Sequence, residues 1–257
     1  MKKAYLTIDD APSLDFMGKM KFLHQHGIPA IFFCEGRYIQ GREAFLHTAI
    51  ENGFLIGNHS FSHPHFSDIS VEKGKREILR THDLIEHSYQ ASGLGRPARY
   101  FRFPYFDNGD GTGGMAYEIG ANLPAPETVL PEQSEKRSAL QEYLRDLGYR
   151  QPNFEGINRQ YVRDPHLLAG VDVRCTFDQG EFWLHEPNPP KGLSTEAEIF
   201  KRIEADDPSQ GLGLNREDTV DIILLHDHEK STQLFYRIVQ RYLEKGIQFL
   251  PIPSPAA

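Results

Sequence analysis

An α/β fold built on parallel strands is what this sequence predicts, and three observations predict it. Short apolar runs alternate with stretches of helical periodicity along the chain. Four times a helical stretch meets a glycine and then at once an apolar residue, in His26-Gly27-Ile28, Asn52-Gly53-Phe54, Leu147-Gly148-Tyr149 and Lys245-Gly246-Ile247. That is the expected helix stop, with glycine in the left-handed position and the chain turning into the next strand. The third observation is that Asp9, Asp10, His59, His63, Arg102 and His226 fall at or just past the C-terminal ends of apolar runs. Parallel α/β proteins build their sites on that edge.

In order, Tyr5-Leu6-Thr7-Ile8 makes a strand over 4–8 that ends in Asp9-Asp10, followed by a helix over 16–26. Ala30-Ile31-Phe32-Phe33-Cys34 is a second strand, then comes a helix over 42–52 and a strand over 54–58. A long helix over 71–89 takes Ser70 as N-cap and turns Ile78, His82, Ile85 and Tyr89 inward at i, i+4, i+7 and i+11, which makes His82 a core-edge histidine. A strand over 99–103 ends in Arg102-Phe103-Pro104-Tyr105. The rhythm then breaks at 107–114, a glycine-rich turn that lacks the Lys of a phosphate cradle and the spaced acids of a calcium loop. A helix over 132–147, an irregular stretch over 152–164 and a strand over 170–177 follow, the last leading into Asp178-Gln179-Gly180-Glu181-Phe182-Trp183. After the stiff connector Glu186-Pro187-Asn188-Pro189-Pro190 and a helix over 195–205, the buried strand 219–225 delivers His226-Asp227-His228. A helix with Phe235, Ile238, Val239 and Tyr242 on one face and a strand over 247–252 close the chain. No linker or low-complexity segment divides it, so residues 1–257 are expected to form a single domain.

Composition narrows the partners. With 39% hydrophobic and 25% charged residues the chain is ordinary for a globular protein, and at 257 residues it can bury a sizeable core. A net charge of -8 argues against nucleic acid and anionic membranes and favours a neutral or cationic ligand. Cys34 and Cys175 are too few for a disulfide framework and are expected to be buried small hydrophobes. No apolar run approaches the ~20 residues of a membrane span. No signal peptide is visible either, which implies a cytoplasmic protein, or an extracytoplasmic one whose leader has been removed.

Two constellations carry chemistry. His59 and His63 are four positions apart, so one helical turn after the strand would aim both imidazoles at one point. Adjacent carboxylates at Asp9 and Asp10 need an electrostatic reason to stand together. A divalent cation held by one Asp and the two His supplies that reason and keeps coordination positions open, as catalytic sites require. His65 and His228 would line the cleft.

The order and context of these residues resemble the polysaccharide deacetylase family, also called the NodB-homology or carbohydrate esterase family 4 domain. Thr7-Ile8-Asp9-Asp10 resembles its T-F-D-D motif, with Ile where Phe is usual; His59-Ser60-Phe61-Ser62-His63-Pro64 resembles H-S/T-x-x-H-P; Arg102-Phe103-Pro104-Tyr105 resembles R-x-P-Y/F; and Leu224-Leu225-His226 resembles L-x-H. Ala30-Ile31-Phe32-Phe33 matches the family's second strand. The D-x-x-D-W motif departs most, standing as Asp178-Gln179-Gly180-Glu181-Phe182 with Trp183 displaced by one, and 106–170 is longer than the family's usual connection.

The resemblance implies a distorted (β/α) barrel of parallel strands with fewer than eight regular repeats. It implies a metal-dependent hydrolase that removes acetyl groups from N-acetylated amino sugars, with water activated by the metal. Asp10, His59 and His63 would bind the metal, most readily Zn2+, with Co, Ni, Mn or Fe as alternatives. Asp9 would be the general base, kept ionised by Arg102, and His226 the general acid, with Glu181 or Asp178 as the carboxylate that raises its pKa. Zn2+ lowers the pKa of water from ~15.7 to ~7, on the order of 12 kcal/mol, so the cation would carry most of the nucleophile activation. The backbone N–H of Tyr105 would meet the oxyanion, and Tyr105 and Trp183 are candidates for stacking on a sugar face. Two rivals are open. A metal-free, allantoinase-like amidohydrolase of the same fold would be expected to lack the aspartate pair and part of the His pair, and a silent carbohydrate-binding module needs neither Asp9 nor His226.

Overall fold

The computed structural model describes residues 1–111, 130–158, 170–189, 191–205 and 213–255; the later parts of the expected 107–114 turn and 152–164 stretch lie outside them. The strands are β1 (Lys3–Ala11), β2 (Ala30–Cys34), β3 (Leu55–Asn58), β4 (Phe177–Asp178), β5 (Asp221–His226) and β6 (Gln248–Phe249). Among the described residues the α-helices are α1 (Phe16–Gln25), α2 (Gly36–Ile39), α3 (Glu43–Glu51), α4 (Val71–Ala91), α5 (Pro131–Asp146), α6 (Glu196–Glu204) and α7 (Thr232–Glu244). These six strands pair in parallel, in the order β3-β2-β1-β5-β4, with β6 beside the start of β1. From the β3 edge, single parallel bridges continue from Asn58 to Phe101 and from Phe101 to Asp172, and the chain beyond Asp172 runs on into β4. The sheet thus curls towards a barrel without a continuous ladder closing it, which is the distorted parallel α/β architecture the sequence implied.

Strand alternation divides the core. Leu6 and Ile8 of β1, Phe32 of β2 and Leu225 of β5 face the helices, packing with Phe16, Met20 and Ile238. Residues of the opposite parity, Tyr5, Ile222 and Leu224 in one cluster and Ile31 and Phe33 in another, face inward with Phe106, Tyr100 and Val173. Asp9 continues the inward row of β1 and is buried.

The four glycine stops form as expected. Gly27, Gly53, Gly148 and Gly246 have φ of 63°, 83°, 81° and 71°, and after each the next amide reaches back to the helix, as in Ile28 to Leu23 at 2.9 Å and Tyr149 to Leu144 at 3.0 Å. That pattern satisfies two of the orphan carbonyls at a helix end. Ser70 caps α4 through Lys73 N, and Ile78, Ile85 and Tyr89 are buried. His82 sits half-buried with Nδ1 3.1 Å from Tyr149 OH. Cys34 and Cys175 are free and buried.

Three expected strands are shorter in the structure. The one over 99–103 is reduced to the bridge at Phe101: β3 ends at Asn58 on one side, and on the other the Ile56 N–H that would continue the ladder goes to Tyr89 OH at 3.2 Å. The one over 170–177 changes partner partway: Val173 N bonds to Phe101 O and Thr176 N to Ile222 O, so only Phe177–Asp178 forms a ladder. The one over 247–252 forms a ladder only over Gln248–Phe249, with Gln248 N and Leu250 N donating to Lys2 O and Ala4 O of the β1 side at 2.9 and 2.8 Å. Among the described residues no helix is long and apolar enough to cross a membrane.

Candidate metal centre and active site

The C-terminal ends of β1, β2, β3 and β5 surround a cavity of about 720 Å³. Asp9, Asp10, His59, His63, Tyr105 and His226 line it. Alternation alone would send Asp9 and Asp10 to opposite faces of β1. Instead the β1–β2 register shifts between Ile8 and Ala11 and Asp10 adopts φ 62°, which returns its carboxylate to the side of Asp9.

The two histidines also converge, though not through a helical turn as the spacing suggested. Residues 59–65 are non-helical; Ser60 and His63 hold φ of 65° and 57°. Local hydrogen bonds fix this loop: Asn58 Oδ1 accepts from Ser60 N at 2.8 Å and Ser60 Oγ from His63 N at 3.2 Å. Non-glycine residues in this region cost on the order of 1–3 kcal/mol each, and such strain collects at functional sites.

Asp10 Oδ1 lies 3.6 Å from His59 Nε2 and 3.3 Å from His63 Nε2. His59 Nδ1 donates to Arg102 O at 2.8 Å, since a carbonyl can only accept, which leaves the Nε2 lone pair facing the carboxylates. Burial pushes the His63 pKa down to about 4, only partly offset by Asp10, so this ring is a neutral lone-pair donor at pH 7. Burial would raise the Asp10 pKa, but His63, His226 and His59 outweigh it and hold the carboxylate ionised. Asp10 Oδ1 is nevertheless buried with no hydrogen-bond partner. An anionic oxygen and two imidazole lone pairs aimed at one point, with no proton to share, is a donor set that fits a divalent cation.

Asp9 stands beside them, with Oδ2 3.5 Å from His59 Nε2 and Oδ1 2.7 Å from Arg102 Nη1. Arg102 is fully buried, and its other donors go to Thr7 Oγ1 at 3.0 Å and Val173 O at 3.0 Å.

Across the cavity, Glu181 Oε1 accepts from both His226 N at 2.7 Å and His226 Nδ1 at 3.1 Å. Tyr242 OH donates to Gln179 Oε1 at 2.5 Å, which turns the Gln179 amide nitrogen onto the other Glu181 oxygen. Burial would lower the His226 pKa, but Glu181, then Asp10 and Asp178, raise it well above its ordinary value. Of the two carboxylates left open by the sequence, Glu181 makes the direct contact. Asp178 accepts from Gly180 N at 2.7 Å and leaves Oδ2 without a partner, and burial lifts its pKa to about 6.

Tyr105 and Phe106 hold φ of 56° and 53°; the Tyr105 ring stacks on His65 at 3.8 Å and lies 4.5 Å from the His63 ring. Trp183 lines the cavity half-buried, yet the ring nearest His226 is Phe182, at 4.8 Å. Sequence reasoning missed several neighbours. Asp227 is held by Lys19 at 2.5 Å and Ser13 Oγ at 2.6 Å, all buried, and its N–H donates to Asp9 O at 2.8 Å, tying the end of β1 to the end of β5. Glu35 is buried on the cavity wall, its pKa raised to about 8 by burial and then Asp10, despite Arg37 Nε at 2.7 Å. A charged residue directly after the apolar strand 30–34 was the available signal.

Residues 1–123 of the chain match the family described as polysaccharide deacetylase. A peptidoglycan-N-acetylglucosamine deacetylase of Bacillus cereus is 29% identical over 101 residues, 39% of this chain and 35% of that protein. A chitooligosaccharide deacetylase of Rhizobium leguminosarum bv. trifolii is 31% identical over 85 residues, 33% of this chain and 40% of that protein. The chain thus spans well under half the length of these curated relatives. Among solved structures, the peptidoglycan deacetylase PdaC of Bacillus subtilis superposes with a TM-score of 0.57 at 19% identity, over 97% of this chain and 87% of that one, a likeness of fold. The resemblance read from the motifs to the polysaccharide deacetylase family is shown.

Proposed function

We propose that this chain is a metal-dependent hydrolase that removes acetyl groups from N-acetylated amino sugars in an oligosaccharide or polysaccharide, and that its 257 residues form one catalytic unit. The observation that carries the reading is the buried, unpartnered Asp10 Oδ1 facing the Nε2 atoms of His59 and His63. Asp10, His59 and His63 would hold the cation, Zn2+ by the character of the ligands, with Co, Ni, Mn or Fe as alternatives. When bound, such a cation supplies charge that lowers the pKa of water and polarises an amide carbonyl.

The chain's own residues do the rest. Asp9, held by Arg102 in the inward row of β1, accepts the proton of the attacking water. His226, kept protonated by Glu181, delivers a proton to the leaving amine, which departs only as the neutral amine. Tyr105 contributes its main chain at the acyl oxygen and its ring at the cavity mouth, and Phe182 and Trp183 bound the space for the sugar. Relatives named for peptidoglycan and chitooligosaccharide support a glycan carrying N-acetyl groups as substrate.

The test is acetate release from a panel of N-acetyl and O-acetyl saccharides, with and without chelator, by the wild type, Asp9→Asn and His226→Ala. Chelator-sensitive release from N-acetyl substrates, reduced by about 100-fold or more in each variant, is expected. Chelator-insensitive release would point to metal-free amidohydrolase chemistry. Saccharide binding without release across the panel would point to a silent binding module.

A further inference from the structure

Net charge favoured a neutral or cationic ligand, but net charge does not say where the cations lie. One wall of the cavity is built from the segment that follows β2, with Arg37 and Tyr38 on the short α2 and Arg42 just before α3, and Lys230 nearby. Glu35 and Glu229 are the carboxylates on the same wall. The segment is rigidly mounted. Gly36 N donates to Ser60 O and Arg37 N to Phe61 O, both at 3.0 Å, so the main chain of Arg37 is tied to the loop that carries His59 and His63. Glycine is required at 36: a Cβ there would stand 2.3 Å from Thr81 Oγ1 and 2.5 Å from the Phe61 ring.

The two guanidiniums share one aromatic ring. Arg37 Cζ lies 4.6 Å and Arg42 Cζ 5.7 Å from the Tyr38 ring centre. Arg42 Nη1 donates to Pro12 O at 2.5 Å, while its Nη2 is 3.8 Å from Glu229, beyond hydrogen-bond reach. Among the described residues, the Arg37 side chain pairs with Glu35 alone, through Nε at 2.7 Å. Both forks are therefore oriented by contacts on one side and keep donors for the cavity. Planar donors in this arrangement suit a carboxylate, which they can grip through two parallel hydrogen bonds. Because stacking already fixes the side chains, little further ordering is needed on binding.

We propose that Arg37 and Arg42 form a carboxylate-binding wall beside the reaction centre, so that the preferred substrate is an N-acetylated sugar chain bearing a carboxylate near the acetamide. This rests on the deacetylase reading and narrows its substrate class.

The experiment compares an N-acetylated oligosaccharide bearing a carboxylate with the same compound converted to its carboxamide, using the metal-loaded full chain. One substrate arm places the carboxylate on the acetylated sugar and the other on the adjoining residue, which separates the two sources of the charge. The wild type should show a KM about tenfold or more lower for an acidic form than for its amide, and Arg37→Gln with Arg42→Gln should abolish the difference by raising KM for the acidic form more than for the amide. Equal KM for acid and amide in the wild type, or equal losses on both in the variants, would overturn the proposal. Calorimetric binding of the acidic and amidated saccharides is measured alongside. Should no substrate release acetate, the deacetylase reading fails, and the binding preference for acid over amide, with its loss in the double variant, still decides the role of the wall.

Discussion

Asp10 Oδ1 stands 3.3 Å from His63 Nε2, and both residues hold the left-handed backbone, at φ 62° and 57°. Neither side chain would reach the other in regular geometry. An extended Asp10 would face the helices, opposite to Asp9, and a helical His63 would follow a different path from the one its loop takes. Two strained residues, 53 positions apart by their numbers, thus set one contact, and strain of this kind persists only where the surrounding structure over-determines it.

Asp10→Asn removes the anionic oxygen while keeping the shape, so calorimetric titration with Zn2+ should show affinity falling by more than about 100-fold, beyond the 10–100-fold usual for a group that only orients a ligand. Unchanged affinity would remove Asp10 from the cation's ligands.

Arg102→Met should destabilise the fold by about 3–5 kcal/mol, because it strands the buried Asp9 carboxylate without its cation. Urea unfolding at pH 7 measures this. Adding Asp9→Asn to Arg102→Met should restore part of the loss, which a purely steric role for Arg102 would not allow.

The basic limb of the pH profile follows from Glu181. His226 must be protonated to act, and its raised pKa means activity is retained as pH rises past 6.5 and is lost only as pH passes the raised value. Glu181→Gln removes the largest raising influence, so the basic limb of the kcat profile should move to lower pH, with a smaller move for Asp178→Asn. A limb that stays in place in Glu181→Gln would detach Glu181 from His226.

Asp178 gives a stability test with a definite sign. Burial raises its pKa from 3.8 to about 6, so between those values the folded state binds more protons than the unfolded one, and stability falls as pH rises through that window. Asp178→Asn removes the buried charge and should stabilise the protein at pH 7 by roughly 1–3 kcal/mol, offset in part by lost attraction to His226. The gain should vanish below about pH 4. Destabilisation at pH 7 would show that an ionised Asp178 is held favourably.

The parallel α/β order, the four glycine stops, the Ser70 cap and the inward stripe of α4 were legible because each depends on residues within a turn or two of one another. The ends of the strands were less so. Whether 99–103 or 170–177 pairs as a ladder depends on its neighbours, since the Ile56 N–H goes to Tyr89 OH and the 170–177 stretch passes from Phe101 to Ile222, and neither segment encodes this. At the site, the residue types were readable, but the histidine spacing suggested a helical turn where the chain makes left-handed bends, since Asp, Ser and His carry no signature that commits them to positive φ.

By itself the sequence determined which carboxylates and imidazoles end the apolar runs, and so which edge of a parallel sheet would be reactive, because strand period and helix stops are local properties. Tertiary structure decided that both aspartates share one cavity, that Glu181 rather than Asp178 grips His226, and that Arg37 and Arg42 flank one ring beside them. Those outcomes depend on a register shift, on the length of one side chain against another, and on which distant segments the barrel brings into contact, none of which is fixed until the strands are packed.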